Sequence, residues 1–293
     1  MTEASRIAYF NGEFKPLEAV HVSPLDRGFL FADGIYEVIP AYNGRFFRLD
    51  DHLQRLNSGL AALHLDAGLG HEDWRGLLDE LLTRNGGGNR AVYLQVTRGA
   101  PEIRDHNFPT MPTHPTIFAM ANPLRPTKPS GWSAATVDDI RWSRCNIKSI
   151  ALLPNVLARQ EGVGQGMNDV IMIRDSLLSE CAAGNVYVVK DGVIRTPIRD
   201  NRILPGITMQ VVLELAGRHG IPAHEEDVPA SALDDADEVW VSSSTKEVVP
   251  IIRIDGRPVG SGQPGPVWER MWHLYQDYKA ELCPAPATTG GRA

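Results

Sequence analysis

The side chains best able to do covalent or acid–base chemistry in this chain fall in a few short segments. Lys148 follows Ile147 in Asp139-Ile140-Arg141-Trp142-Ser143-Arg144-Cys145-Asn146-Ile147-Lys148-Ser149, an apolar-flanked setting. A lysine at a strand end is ordinarily a solvated charge, whereas a sequestered amine can serve as nucleophile or base. Glu180 reads by itself as a carboxylate after a turn. Arg55, in His52-Leu53-Gln54-Arg55-Leu56, sits on a predicted helix where a solvated charge is the default; a guanidinium also matches the forked geometry of a phosphate. Gly206-Ile207-Thr208 opens another predicted helix, so backbone N–H groups and the helix dipole favour an anion there. Thr208 and Ser244 add hydroxyl donors, although Ser and Thr at such places commonly serve only as caps or turns. Arg104 and His106, in Ile103-Arg104-Asp105-His106-Asn107-Phe108-Pro109, form a basic loop that is either simply solvated or suited to grip a carboxylate.

The elements that must position these groups are legible in outline. Asn11-Gly12 and Asn43-Gly44 mark two hairpins, because both turn positions need positive φ. The first spans Ile7 to Phe14, and Ile35–Tyr42 with Arg45–Leu49 flanks the second. Asp50 fits an N-cap, with Leu53, Leu56 and Leu60 lining the helix that follows. A second helix runs from His71 to Arg84 on a stripe of Trp74, Leu77, Leu78, Leu81 and Leu82, and Asn85-Gly86-Gly87-Gly88 ends it. Strands follow at Ala91–Arg98 and Thr116–Ala121. Pro123, Pro126 and Pro129 predict a stiff interdomain linker. In the second half, strands are expected at Ala134–Val137, Asp169–Ile173, Val186–Val189, Glu238–Val241 and Ile251–Ile254. Helices are expected at Leu152–Glu161, Thr208–His219 and Val267–Leu282.

The chain has 293 residues, enough for two ordinary domains or one large one. Hydrophobic residues at 43% and charged residues at 22% are a soluble globular balance. No long apolar run predicts a membrane span, and the first residues lack an apolar signal core. A net charge of −7 without a long basic block argues against nucleic acid as partner. Cys145, Cys181 and Cys283 lack CxxC spacing, which points to free thiols in a reducing cytoplasm and away from a zinc or other metal site.

Four motifs in order carry a resemblance. Asp26-Arg27-Gly28-Phe29-Leu30-Phe31-Ala32-Asp33-Gly34-Ile35-Tyr36-Glu37, the Lys148 segment, Leu204-Pro205-Gly206-Ile207-Thr208 and Val241-Ser242-Ser243-Ser244-Thr245-Lys246-Glu247 resemble the fold-type-IV enzymes dependent on pyridoxal 5'-phosphate (PLP). That is the branched-chain/D-amino-acid aminotransferase class, and the likeness is greatest to its D-amino-acid branch. The resemblance covers about Ile7 to about Tyr278. It implies an α+β, two-domain protein: a smaller N-terminal α/β domain (1–121), a linker (122–130) and a C-terminal domain (131–283) with a β-barrel-like core. The cofactor would lie in the interdomain cleft, and 284–293 would be a disordered tail.

The resemblance also implies roles. Lys148 would anchor the cofactor aldehyde and then, as a neutral amine, move a proton. Glu180 would face the pyridine nitrogen and keep it protonated. Arg55, Gly206, Ile207, Thr208, Ser243 and Ser244 would hold the phosphate, with Leu204 on a ring face. Tyr36, Arg104 and His106 would trap the substrate carboxylate, the last two from the neighbouring subunit of a homodimer, with Arg98 supporting their loop. The reaction implied is D-alanine with 2-oxoglutarate to pyruvate and D-glutamate. Intact Arg104 and His106 argue against an L-branched-chain aminotransferase. An (R)-amine transaminase, an aminodeoxychorismate lyase and a non-catalytic PLP-binding protein are further rivals, the last disfavoured by the presence of Lys148. Two departures stand out. Cys181-Ala182-Ala183-Gly184 replaces small hydroxyl residues, and Pro40 and Pro205 stand where D-selective relatives carry lysines.

Overall fold

The computed structural model describes residues 6–110, 113–125 and 128–285. The chain divides into two compact units: Met1–Arg125 with Gln276–Ala293, and Pro126–Tyr275. The stretch after Gln276, placed by sequence in the C-terminal domain, thus groups with the first unit, where Arg48 Nη1 donates to the Tyr278 hydroxyl (3.0 Å). Pro126 of the expected linker and 286–293 of the expected tail lie outside the described residues.

The first unit starts with β1 (Ile7–Phe10) and β2 (Glu13–Pro16), joined by the expected turn with φ of 47° at Asn11 and 95° at Gly12. A short α1 (Arg27–Phe31) precedes β3 (Gly34–Tyr42) and β4 (Arg45–Phe46). Two helices follow, α2 (Leu49–Ala62) and α3 (His71–Arg84), then β5 (Arg90–Thr97) and β6 (Thr116–Pro123). The strands form one antiparallel sheet in the order β2-β1-β6-β5-β3-β4. The apolar stripes of both helices are buried as their spacing demands, with Leu53, Trp74, Leu78 and Leu81 fully enclosed. Gly59 of α2 comes close to β3: a Cβ there would lie 3.2 Å from Ile35 Cδ1. The N-cap expectation at Asp50 is corrected. Arg48, in the left-handed region, holds the cap position, and Asp50 in the first turn pairs instead with His71 (3.0 Å) and Arg75 (2.5 Å). A tertiary pair has outcompeted the local cap.

The second unit contains β7 (Trp132–Asp138), α4 (Leu153–Gly164), β8 (Asp169–Arg174), β9 (Leu177–Cys181), β10 (Gly184–Lys190) and β11 (Val193–Thr196). It continues with α5 (Ile207–Arg218), β12 (Ala223–Glu225), β13 (Glu238–Ser243), β14 (Glu247–Ile254), β15 (Arg257–Pro258) and the start of α6 (Pro266–Leu282), which from Gln276 on belongs to the first unit. Of these, β9, β11, β12 and β15 have no counterpart among the strands expected from sequence. Six strands close into a barrel in the order β10-β13-β14-β7-β8-β9, and β9 returns to β10. That closure rests on two pairs, Gly184 with Cys181 and Asn185 with Glu180. Beyond them β10 leaves β9 and pairs with β11. Alternation along the strands gathers Val186, Val188, Val239, Val241, Val249 and Ile251 into one apolar cluster, as the two-residue period requires. Among the described residues no helix is long and apolar enough to cross a membrane.

Candidate active site

The barrel closure gathers the chemistry of the second unit. Glu180 is buried at the end of β9, and Asn185 faces it from β10. Asn185 Nδ2 donates to Glu180 Oε1 (3.3 Å) and to the Leu204 carbonyl (2.9 Å). A Cβ on Gly206 would fall 2.0 Å from Asn185 Oδ1, so glycine is required there by close approach. Asn185 thereby ties the end of β9 to the segment that opens α5. Gly206 is the N-cap of α5 and supplies no side chain to cap its first turn, which leaves an anion-favouring terminus of backbone N–H groups. Thr208 is buried in that turn. Ser243 comes close to Gly184, whose Cβ would lie 3.3 Å from Ser243 Cβ. Ser244 follows in the turn leading to β14.

Lys148 lies in the irregular segment between β7 and α4, half-buried between the buried Ile147 and Ser149. Two tethers fix this segment to the approach to α5: Cys145 N donates to the Asn201 carbonyl (2.9 Å) and Asn201 Nδ2 to the Ser143 carbonyl (2.9 Å). The Lys148 charge acts on Glu180 electrostatically. Arg141, in the same segment, contacts Glu180 Oε2 directly. Its Nε and Nη2 form a fork on Asp139 (2.9 and 2.8 Å), and Ser179 Oγ donates to the same carboxylate (2.8 Å). Burial pushes the Glu180 carboxyl above the usual carboxylate range although Arg141 pulls the other way. Asp139 shows the opposite balance: against burial, Arg141 and Ser179 hold it down at about 2.

The first unit holds the remaining expected residues. On β3, Glu37 is fully buried; Arg55 Nε and Nη2 of α2 donate to its two oxygens (2.7 and 2.8 Å), and His52 Nδ1 lies 2.8 Å from Oε2. Against burial, Arg55 and His52 hold the Glu37 carboxyl far below its ordinary value. Tyr36, next along β3, stacks on Tyr93 with ring centroids 5.6 Å apart. Burial and the neighbouring Tyr36 push the Tyr93 hydroxyl up to about 12. Arg104 and His106 are exposed on the loop between β5 and β6 and meet on one ring: Phe31 lies 4.7 Å from the Arg104 guanidinium and 5.1 Å from the His106 ring. Arg98 is nearly buried, and donates to both oxygens of Asp33 (2.8 and 3.0 Å) and to the Leu63 carbonyl (2.7 Å).

The structure therefore gathers Lys148, Glu180, Leu204, Gly206, Ile207, Thr208, Ser243 and Ser244 within the second unit, and holds Tyr36, Arg55, Arg104 and His106 in the first. Sequence reasoning missed Arg141, Asp139, Asn185, Glu37 and His52. Arg141, Asp139 and Glu37 stand inside the segments quoted for the resemblance and His52 in the segment quoted for Arg55, and a charged or polar side chain within an apolar stretch was the available signal.

The family described as amino-transferase class IV matches residues 34–254. A D-alanine aminotransferase of Listeria innocua is 40% identical over 262 residues, 88% of this chain and 91% of that protein. One from Staphylococcus haemolyticus is 41% identical over 273 residues, 92% of this chain and 96% of that protein. In fold, the chain is similar to the branched-chain aminotransferase of the thermophilic archaeon Thermoproteus uzoniensis, solved with norvaline, with a TM-score of 0.87, 25% identity, and 95% of this chain and 96% of that chain covered.

Proposed function

This chain belongs to the amino-transferase class IV family, and on that premise we propose that it exchanges amino groups between D-amino acids and 2-oxo acids. The pair D-alanine and 2-oxoglutarate, giving pyruvate and D-glutamate, is the expected reaction. The observation that carries the reading is a buried carboxylate, Glu180, that lies within electrostatic reach of the Lys148 amine and is tied through Asn185 to the segment opening the uncapped helix N-terminus at Gly206-Ile207-Thr208. The identity to D-alanine aminotransferases of about 40% supports a D-amino-acid substrate.

This donor set fits pyridoxal 5'-phosphate. Lys148 would hold the aldehyde end and Glu180 the ring nitrogen, with Leu204 against the ring. Gly206, Ile207, Thr208, Ser243, Ser244 and Arg55 would hold the phosphate, which the uncapped N-terminus of α5 suits. When bound, PLP supplies an aldehyde that accepts the amino group and a ring that draws negative charge away from Cα.

The protein's own work is to position groups and move a proton. The Lys148 amine takes the proton from the substrate Cα and returns it two atoms along, on the far side of the nitrogen, a 1,3-shift. Glu180, whose proton affinity burial raises, keeps a proton shared at the ring nitrogen, and Arg141 fixes its carboxylate. The Glu37 carboxylate accepts from Nε and Nη2 along one edge of the Arg55 guanidinium, which fixes its direction. Tyr36, with Arg104 and His106 of a neighbouring subunit, would hold the substrate carboxylate. A cytoplasmic homodimer follows from this reading.

The test is a coupled assay on the purified protein supplied with PLP. D-alanine with 2-oxoglutarate should yield pyruvate, and L-alanine should not. Turnover confined to L-amino acids, or pyruvate released without a 2-oxo acid acceptor, would sink the reading.

A further inference from the structure

One arginine organises the loop that carries Arg104 and His106. Arg27, in α1, is 4% exposed, and a charge so buried must find partners. Its Nε donates to Asp33 Oδ2 (2.8 Å). Its two outer nitrogens are spent on main-chain carbonyls of the loop: Nη1 donates to Asp105 O (2.5 Å) and Asn107 O (3.1 Å), and Nη2 to His106 O (3.3 Å). Three successive carbonyls are thus held by one planar fork.

The rest of α1 pins the same loop at both ends. Arg27 N donates to the Gly99 carbonyl (2.9 Å), just past β5. Asp26, the N-cap of α1, accepts from Thr116 Oγ1 (2.6 Å) at the first residue of β6. Phe31, at the other end of α1, takes the loop's side chains. Its ring lies 4.9 Å from the Arg27 guanidinium, 4.7 Å from that of Arg104 and 5.1 Å from the His106 ring. Cation–π contact orients such groups without neutralising them. Asp33 joins Arg27 to Arg98 and so to the Leu63 and His64 carbonyls after α2.

We propose that Arg27 and Phe31 are positioning residues for carboxylate recognition: Arg27 sets the backbone of 105–107, and Phe31 sets the directions of Arg104 and His106. This rests on the reading of Arg104 and His106 as the grip on the substrate carboxylate. A surface loop is ordinarily mobile, and a carboxylate grip that must first be ordered binds more weakly by the cost of that ordering. A guanidinium fork on three carbonyls restricts that freedom, together with the loop's own Asp105, which accepts from Asn107 N (3.1 Å), and Phe108, whose ring lies 3.8 Å from the Arg98 guanidinium.

The experiment compares Arg27→Gln, Phe31→Leu and Arg104→Ala with the parent as cofactor-loaded enzymes. The readouts are KM and kcat for D-alanine, cofactor affinity by absorbance titration, and amide hydrogen exchange over 99–109. Arg27→Gln should raise KM about tenfold with kcat changed less than about twofold, as loss of binding before the chemical step requires. Exchange at 105–107 should accelerate and cofactor affinity should stay at the parent value. Phe31→Leu leaves every hydrogen bond of Arg27 in place, so it decides the question if Arg27→Gln does not fold; its KM should rise about threefold with the cofactor undisturbed. If Arg104→Ala raises KM while both other variants keep the parent KM and exchange, the positioning role is overturned and the carboxylate reading stands. If Arg104→Ala itself has the parent KM, the carboxylate reading is overturned and this proposal goes with it.

Discussion

Glu180 and Asn185 face each other across the two pairs that close the barrel, and the amide of Asn185 reaches both the Glu180 carboxylate and the Leu204 carbonyl. One buried side chain thus links the acid expected at the ring nitrogen to the segment expected at the phosphate. Asn185→Ala should lower unfolding free energy by about 1–3 kcal/mol, the cost of leaving buried polar groups without a partner. Urea unfolding of the cofactor-free protein measures it, and an unchanged midpoint would show that the link carries no load.

Lys148→Ala should abolish turnover. In the parent protein, borohydride treatment in the presence of PLP should fix a phosphopyridoxyl group on the peptide containing Lys148, and mass mapping of the variant should find none. Label on the variant at a parent-like level would refute the anchor role.

Arg104→Ala should raise KM for D-alanine about ten- to a hundredfold, because a charge-assisted pair to a carboxylate is worth roughly 1.5–3 kcal/mol. Cofactor affinity, read from the visible spectrum, should not move. The side chain is exposed within the single chain, so little change in thermal stability of the isolated subunit is expected.

Asp139 gives a prediction in acid. Its carboxyl is held at about 2 against an ordinary value of 3.8. A depressed folded-state pKa stabilises above the unfolded value and is lost as pH falls through the folded one. The contribution, roughly 2 kcal/mol, is therefore complete above about pH 4 and disappears toward about pH 2. Asp139→Asn should show a stability deficit that is constant near neutrality and narrows only in that acid window. A deficit that instead changes between about pH 6 and pH 8 would assign the effect to another group.

Helix α3 was legible to the residue because its stripe and its stop signal agree: Trp74, Leu77, Leu78, Leu81 and Leu82 face inward, and Asn85 caps the end. The reading of β9 failed for a physical reason. Ser179 and Glu180 are polar yet buried, and their partners, Asp139 and Arg141, lie about forty residues upstream. Local patterning cannot register a carboxylate whose burial is compensated from another part of the chain. Lys148 is marked by its motif and Glu180 by its place in the resemblance, whereas Asn185 has no such signal, since its contacts arise only when β9 and β10 meet. Asp50 was misread for the converse reason: its side chain suits a cap, but His71 and Arg75 of α3 claim it.

A hoop with one short joint yields there first, and in this hoop the short joint carries Glu180, a group proposed to hold PLP. Occupancy and mechanical integrity of the second unit are therefore linked quantities. Saturation at a hundred times the dissociation constant should add about 2.7 kcal/mol to the work of unfolding. Amide protons at Glu180 to Asn185 should be the ones whose exchange slows most when PLP is supplied. Uniform slowing across all six staves would instead mean that the joint is no weaker than its neighbours.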